Sequence, residues 1–559
     1  MTGELQEAIE HYQKALNIKP DWAEVHCRIG HIQKHDQPGD AIINFEKAIQ
    51  LKPDFSEAYQ QLSDLLSHSS NLAGARKVAD QYCQNCGDKH PILTATSYVF
   101  SYLQSGLTQE ALAKLIEVEK YCYSNLKNLE VFELKLLYEI FIFAISHLRD
   151  DLEGNAKFYH FLAQEYYERA VPKREINLVP KSSYTRDREL RIGFVSKHFR
   201  RHSVGWCSEA LIKELSNLTP YLNLYVTGKI NTDEVTARFQ QIAGKMYWPE
   251  KYPNGFADAG EILSEICKDN LDILIDLDSM TVPTNVDILY QHPATICVSW
   301  LGFDAPYMSD KNYFLCDQWT HPQGREKHYL EQLIRLPHGS VALEPLKSRP
   351  VDRNAVRQNL GIGLDQMTYL CVAPGRKTNP EMLRAQIKIL KEVPDSVLIR
   401  KGQGDAIVIK ETYLKECESQ GVDPNRIKFL GQTKTEEEHR GIYYVADVML
   451  DSYPYNGGTH NLEALSANLP VVTLVGNQYL SRMGYAFLNS VNLELGIAWN
   501  WEEYTEWGIK LGQNFALRNS IRQHLIQGQQ PESLAPLWNP KQLAKDMYRV
   551  FQELLIKAV

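Results

Sequence analysis

Arg376 and Lys377 stand side by side in PGRKTNPEM, residues 374–382, on a loop that leaves an apolar run and enters a helix opened by Pro380. Two cations beside the free N–H groups of a helix start form a place for an anion. A second such place is YPYNGGTHNLEAL, residues 453–465. Gly457 and Gly458 let backbone approach a ligand closely, and Thr459 or His460 opens a helix whose N–H groups would face a phosphate. A third loop, KHFRRHSVGW, places His198 and His202 where imidazoles would face a cleft. Other clusters carry less. Lys401-Gly402-Gln403-Gly404 lacks a third glycine and is read as a strand end. Cys83, Cys86 and His90 lack a fourth ligand at zinc spacing and are read as helix-end residues.

These loops need rigid elements to hold them, and the second half of the chain supplies the pattern. Short apolar runs at residues 191–196, 224–228, 272–277 and 295–302 alternate with helical stretches. A second series follows at 368–373, 396–402, 426–431, 447–452 and 470–475. Such alternation predicts mainly parallel sheets covered on both faces, built as two doubly wound domains in tandem. Their ligand cleft is expected at the carboxyl ends of the strands, where the three loops lie.

The first half has a different period. Ala8, Tyr12, Ala15 and Pro20 recur as Ala41, Phe45, Ala48 and Pro53, each 33 residues on. Small alanines where helices meet, an aromatic in the gap and a stopping proline match the tetratricopeptide pattern over residues 1–70, with Trp22 and Gly30 in the first helix of the second unit. The array is expected to begin mid-repeat. It either forms a groove for extended peptide or caps the next domain. A helical bridge is expected over 71–180, then a linker marked by Pro180, Ser182 and Ser183. Domains are expected at 186–350 and 351–559.

Composition narrows the classes. In 559 residues, 60 Lys and Arg stand against 69 Asp and Glu, and no long basic run could track nucleic acid. No stretch approaches 18 consecutive apolar residues, so no membrane span is expected, and the amphipathic start is unlike a secretion signal. Apart from the close pair Cys83 and Cys86, the ten cysteines lie far apart, mostly in apolar runs, as reduced thiols do. The chain is therefore read as cytoplasmic.

From Arg191 to Lys557 the sequence resembles the family of O-linked N-acetylglucosamine transferases and SPINDLY proteins, with its tetratricopeptide array in front. The resemblance is carried by FVSKHFRRHSV, ATICVSWLGFDAPYMSD, TYLCVAPGRKTNPEM and NRIKFLGQTKTEEEHRGIYYVADVMLDSYPYNGGTHNLEAL together. It implies α-helical tetratricopeptide-type repeats followed by an α/β GT-B fold, two Rossmann-like domains with a cleft between. It also implies metal-independent transfer, with inversion, of a sugar from a UDP-sugar to Ser or Thr of protein acceptors, or of fucose from a GDP donor as in the plant SPINDLY branch.

By position, Lys377 looks like the family lysine on the diphosphate and His439 like the histidine that packs on the base. Lys434 sits in the loop whose backbone meets the base. Gly458, Thr459 and His460 fall at the helix start that holds the phosphates, and Glu463 where a carboxylate holds the ribose hydroxyls. His202 matches the histidine facing acceptor and sugar, and as a neutral imidazole it is the candidate base. The chain departs from the O-GlcNAc branch at Asp272, where that branch has a histidine, at Pro374, where it has a glutamine, and in FDAPYMSD. His202-Ser203-Val204 looks more like the SPINDLY branch. Asp276-Leu277-Asp278 has the form of a metal-binding DxD, but at a strand end away from the nucleotide half.

Overall fold

The computed structural model describes residues 3–34, 36–68, 71–174, 188–252, 255–346 and 352–558. The expected linker around Pro180 and the expected boundary near 350 lie outside these residues.

Helices Gly3–Ile18, Ala23–Gln33, Pro38–Leu51 and Ser56–His68 form the hairpins that the repeat predicts. Ala41, Phe45, Ala48 and Ala58 are fully buried between them, and a Cβ on Gly30 would lie 2.9 Å from the Phe45 ring. Hairpin stacking continues past the sequence repeat through Leu72–Cys86, Pro91–Ser105 and Thr108–Asn125. Gly106, with φ +99°, ends the sixth of these helices in the left-handed conformation. Cys83 donates to the Thr94 carbonyl at 3.6 Å, and His90 precedes a helix opened by Pro91, as their helix-end reading requires.

The second half contains two parallel sheets. The first runs β3-β2-β1-β4-β5-β6-β7, with β1 Ile192–Ser196, β2 Leu222–Val226, β3 Lys245–Tyr247, β4 Ile273–Asp276, β5 Ile296–Ser299, β6 Tyr313–Asp317 and β7 Gln332–Leu336. The second runs β10-β9-β8-β11-β12-β13, with β8 Thr368–Val372, β9 Val397–Lys401, β10 Ile427–Leu430, β11 Val448–Leu450, β12 Val471–Leu474 and β13 Ile497–Ala498. The nine apolar runs are β1, β2, β4, β5, β8, β9, β10, β11 and β12. Strand order reverses between β1 and β4 and between β8 and β11, so the loops after these strands open into the crevice.

The final helix, Pro540–Ala558, corrects one boundary. Its place in the sequence predicts that it closes the second domain, yet Leu543, Met547 and Phe551 pack into the core of the first, beside Leu211 and Leu215 of helix Ser203–Ser216. An apolar stripe at i, i+4 and i+8 must be covered, and that helix offers the matching face. His338 of the first domain pairs with Asp546 at 2.8 Å.

The helical half is fastened to both sheets. Thr108 Oγ1 donates to the Thr378 carbonyl at 2.7 Å, and Arg76 pairs with Asp405 at 2.7 Å. Tyr138 donates to the Pro306 carbonyl at 2.6 Å. Asp150 accepts from Tyr453 Oη (2.8 Å), Asn477 N (2.6 Å), Gln478 N (2.9 Å) and Ser481 Oγ (2.7 Å). Asp150→Ala leaves two backbone donors without their acceptor, at a cost of roughly 1 to 3 kcal/mol. Scanning calorimetry is expected to show a midpoint several degrees lower, and an unchanged midpoint would refute the fastening role.

Candidate active site

A cavity of about 630 Å³ opens between the two sheets. Lys377, Lys434, His439, Gly458, Thr459 and His460 line it. Lys377 ends a single 3-10 turn, Gly375–Lys377, that follows β8. Its side chain is buried, with Nζ 3.8 Å above the Tyr455 ring and donating to the Asn456 carbonyl at 2.6 Å. Burial, then the Arg376 guanidinium, lowers its pKa, while the Asp451 carboxylate opposes the shift. Asp451 is itself held by Gly457 N at 2.7 Å, Asn461 Nδ2 at 2.8 Å and Thr473 Oγ1 at 2.8 Å.

The two expected anion seats differ. Helix Pro380–Glu392 is capped by Asn379, whose side chain accepts from Glu381 N (2.9 Å) and Met382 N (3.1 Å). Its first N–H groups are therefore satisfied, and the seat expected there is corrected to the lysine alone. Helix Thr459–Ser466 starts from Gly458 with no side-chain cap, so its N–H groups remain available to an anion.

On the far wall, Thr435 caps helix Glu436–Val445 by accepting from Glu438 N, and Glu438 accepts from Lys434 N at 3.0 Å. These bonds fix the Gln432–Thr435 loop that lines the cavity. Glu463 does not line it. Its Oε2 accepts from Tyr443 Oη at 2.9 Å and lies 3.1 Å from His439 Nε2, and its Oε1 lies 3.5 Å from Arg440 Nε. Burial alone would raise the Glu463 carboxyl, but the hydrogen bond and charge of His439 hold it below the usual range. The carboxylate expected on a ribose thus orients His439, which faces the cavity in its place. Burial drives His460 down to about 3, so its imidazole is neutral. His439, His460 and Glu463 have ligand atoms within 4.8 Å of one another and are able to gather round a metal ion, although the adjacent Arg440 opposes a second cation.

At the lip of the first sheet, His198 and His202 stack with centroids 3.7 Å apart. His202 caps helix Ser203–Ser216, its Nδ1 accepting from Val204 N at 3.2 Å. That bond leaves the proton on Nε2, and burial with the His198 ring lowers the pKa to about 4. The ring expected as a base is accordingly built as a neutral donor. His198 has the opposite arrangement: Nδ1 lies 2.8 Å from Asp278 Oδ1, which leaves Nε2 as the acceptor. Asp278 also accepts from Ser196 Oγ (3.1 Å) and Lys197 N (2.8 Å), and Asp276 accepts from Asn285 Nδ2 (2.6 Å). Both DxD carboxylates are thus turned into the protein. Burial and Asp278 push Asp276 up to about 7. Asp272 pairs with Arg188 at 2.6 Å at the opposite end of β4.

Several lining residues escaped sequence reasoning. Phe143 and His147 come from the helical half, and Tyr455 and Tyr479 from loops after β11 and β12. Gly402 also lines the cavity: a Cβ there would sit 1.9 Å from the Ala373 carbonyl, so only glycine lets the end of β9 lie against the end of β8.

Two Rossmann-like domains with a cationic, phosphate-ready cleft between them define a GT-B protein carrying tetratricopeptide repeats. The family model for glycosyl transferase family 41 matches residues 170–342 and 353–547, and a TPR repeat model matches residues 2–36. The chain belongs to glycosyl transferase family 41. It is 26% identical over 373 residues to a tomato (Solanum lycopersicum) protein named probable UDP-N-acetylglucosamine–peptide N-acetylglucosaminyltransferase SPINDLY, covering 66% of this chain and 39% of that one. It is 27% identical over 344 residues to the Arabidopsis thaliana SEC protein of the same description, covering 58% of this chain and 33% of that one. The chain therefore spans well under half the length of these curated relatives. The solved structure of a lysine-to-methionine mutant of the Thermobaculum terrenum O-GlcNAc transferase superposes with a TM-score of 0.77 at 22% identity, over 100% of this chain and 99% of that one. No described helix is long and apolar enough to cross a membrane.

Proposed function

We propose that this chain is an inverting protein O-glycosyltransferase that moves N-acetylglucosamine from UDP-N-acetylglucosamine to Ser or Thr hydroxyls of proteins. The observation that carries the reading is the meeting of the Lys377 side chain and the uncapped helix start at Thr459 on one cavity between the two sheets. The acceptor oxygen bonds to the anomeric carbon as the bond from that carbon to the diphosphate oxygen breaks. Negative charge grows on the departing diphosphate, where the ammonium and the helix N–H groups stabilise it. His202 Nε2–H donates to sugar or acceptor, and the hydroxyl proton passes to His198 Nε2, whose ring Asp278 orients.

Titrating the full chain with UDP-N-acetylglucosamine, GDP-fucose and the free nucleotides tests the donor. GDP-fucose is the second reading, favoured by His202-Ser203-Val204. Failure of every nucleotide to bind would leave a repeat scaffold with a silent transferase domain. Because protein groups supply the charge on the diphosphate, EDTA is expected to leave turnover unchanged. Restoration by manganese after EDTA inactivation would instead bring the His439, His460 and Glu463 cluster into the chemistry.

The two lip histidines are tested by substitution. His198→Gln removes the acceptor of the hydroxyl proton and should lower kcat about a hundredfold. His202→Asn keeps a helix cap and should lower kcat less. Near-normal turnover in His198→Gln would refute the base assignment.

A further inference from the structure

A second cavity, of about 800 Å³, lies between the repeat helices and the loops of the second sheet. His68, Leu72, Phe100 and Gln104 form its helical wall, and Ile409 and Phe429 face them from the other side. Arg376, Gly402, Gln403 and Gln432 line this cavity and the donor cavity alike, so the two meet at Arg376.

The charge there is one-sided. Arg376 Nε lies 3.3 Å from His147 Nε2, and its guanidinium stacks over Phe143 at 5.8 Å. Its two terminal nitrogens have no hydrogen-bond partner among the described residues, and none of the lining residues of the second cavity is Asp or Glu. The acids nearby are engaged: Asp405 with Arg76 at 2.7 Å, and Asp64 with His68 at 3.2 Å. Arg400, also in the wall, turns Nη1 to the Lys401 carbonyl at 2.7 Å, and its Nε and Nη2 have no partner among the described residues but are buried away from the cavity surface. A half-buried guanidinium with open terminal nitrogens fits a carboxylate in bidentate fashion.

We infer that this second cavity takes a segment of the acceptor protein carrying a carboxylate side chain near the accepting hydroxyl, and that Arg376 is the residue that reads it. The inference rests on the donor reading above. Leu72 and Phe100 facing Ile409 and Phe429, with His68, Gln104 and Gln432 among them, suit an extended peptide, and the site joins the donor cavity at Arg376. The net charge of −9 for the whole chain makes general attraction of acidic peptides an inadequate explanation, so any preference must come from this local wall.

The test uses the full chain and two fluorescein-labelled decapeptides with one central Ser. One has Glu on both sides of it, the other Gln, and anisotropy is measured with and without saturating UDP. The Glu peptide is expected to bind about tenfold tighter or better to the unmodified protein, with the difference gone in Arg376→Gln and partly kept in Arg376→Lys. Equal binding of both peptides by the unmodified protein would overturn the inference. So would a tenfold loss of UDP affinity in Arg376→Gln with peptide discrimination intact, which would move Arg376 to the diphosphate. Failure of UDP to bind at all would strike the donor reading alone, since the peptide comparison without UDP still decides the subsite.

Discussion

Lys377→Met is expected to lower turnover about a hundredfold or more while the protein folds as before. Met nearly matches the length of the lysine stem and suits its buried place above Tyr455, so packing is largely kept. What is lost is a cation aimed at the departing diphosphate. One preorganised charge in a closed cleft contributes on the order of 3 kcal/mol to the barrier, which is a factor of about a hundred in rate. The lowered pKa of Lys377 gives the assignment a second, independent readout. Burial and Arg376 lower the Lys377 pKa, so part of the population is neutral in mildly alkaline solution. A bound diphosphate favours the charged form and returns the pKa upward, so binding must take up a proton. Calorimetry of UDP binding in buffers of different ionisation enthalpy should show that uptake above neutral pH, and Lys377→Met should abolish it. Near-normal turnover in the mutant would refute the leaving-group role.

The paired glycines and Lys377 are legible in the sequence because each has a local cause: glycine at a loop that a ligand approaches, and a cation just after a strand. Nine strands are legible for the same reason, being apolar runs separated by helices. The others are not. β3 and β13 are edge strands of three residues and two residues, too short for a period to register. β6 and β7 follow β5 without an intervening α-helix, so the strand and helix alternation skips them. Long-range fastening is invisible as well. Nothing near Asp150 in the sequence announces that it accepts from Tyr453 and Ser481, 303 and 331 residues on. The same holds for Phe143 and His147, whose place in the cavity depends on the docking of the helical half. His202 stands out by its residue type, but which of its nitrogens carries the proton follows from its role as a helix cap, and that is a matter of backbone geometry.

Glu463→Ala is expected to weaken UDP binding by about tenfold or more. Glu463 is buried and holds His439, Tyr443 and Arg440, while His439 alone of the four lines the cavity wall where the base is expected. Hydrogen bonds to a charged acceptor contribute about 1.5 to 3 kcal/mol each, and their loss lets the imidazole turn away from its fixed plane. Truncation also strands the buried Tyr443 hydroxyl, while Arg440 keeps its ion pair with Glu436, so some stability is lost, and titrations belong at a temperature where the mutant remains folded. Glu463→Gln separates the two effects, since it keeps an acceptor for His439 and should recover most of the affinity. His202→Asn supplies the contrast: His202 belongs to the first sheet, and its variant should bind UDP within about twofold of the unmodified protein while turning over slowly. Equal losses of UDP affinity in Glu463→Ala and His202→Asn would place His202 in the nucleotide site and remove the division of labour between the two domains.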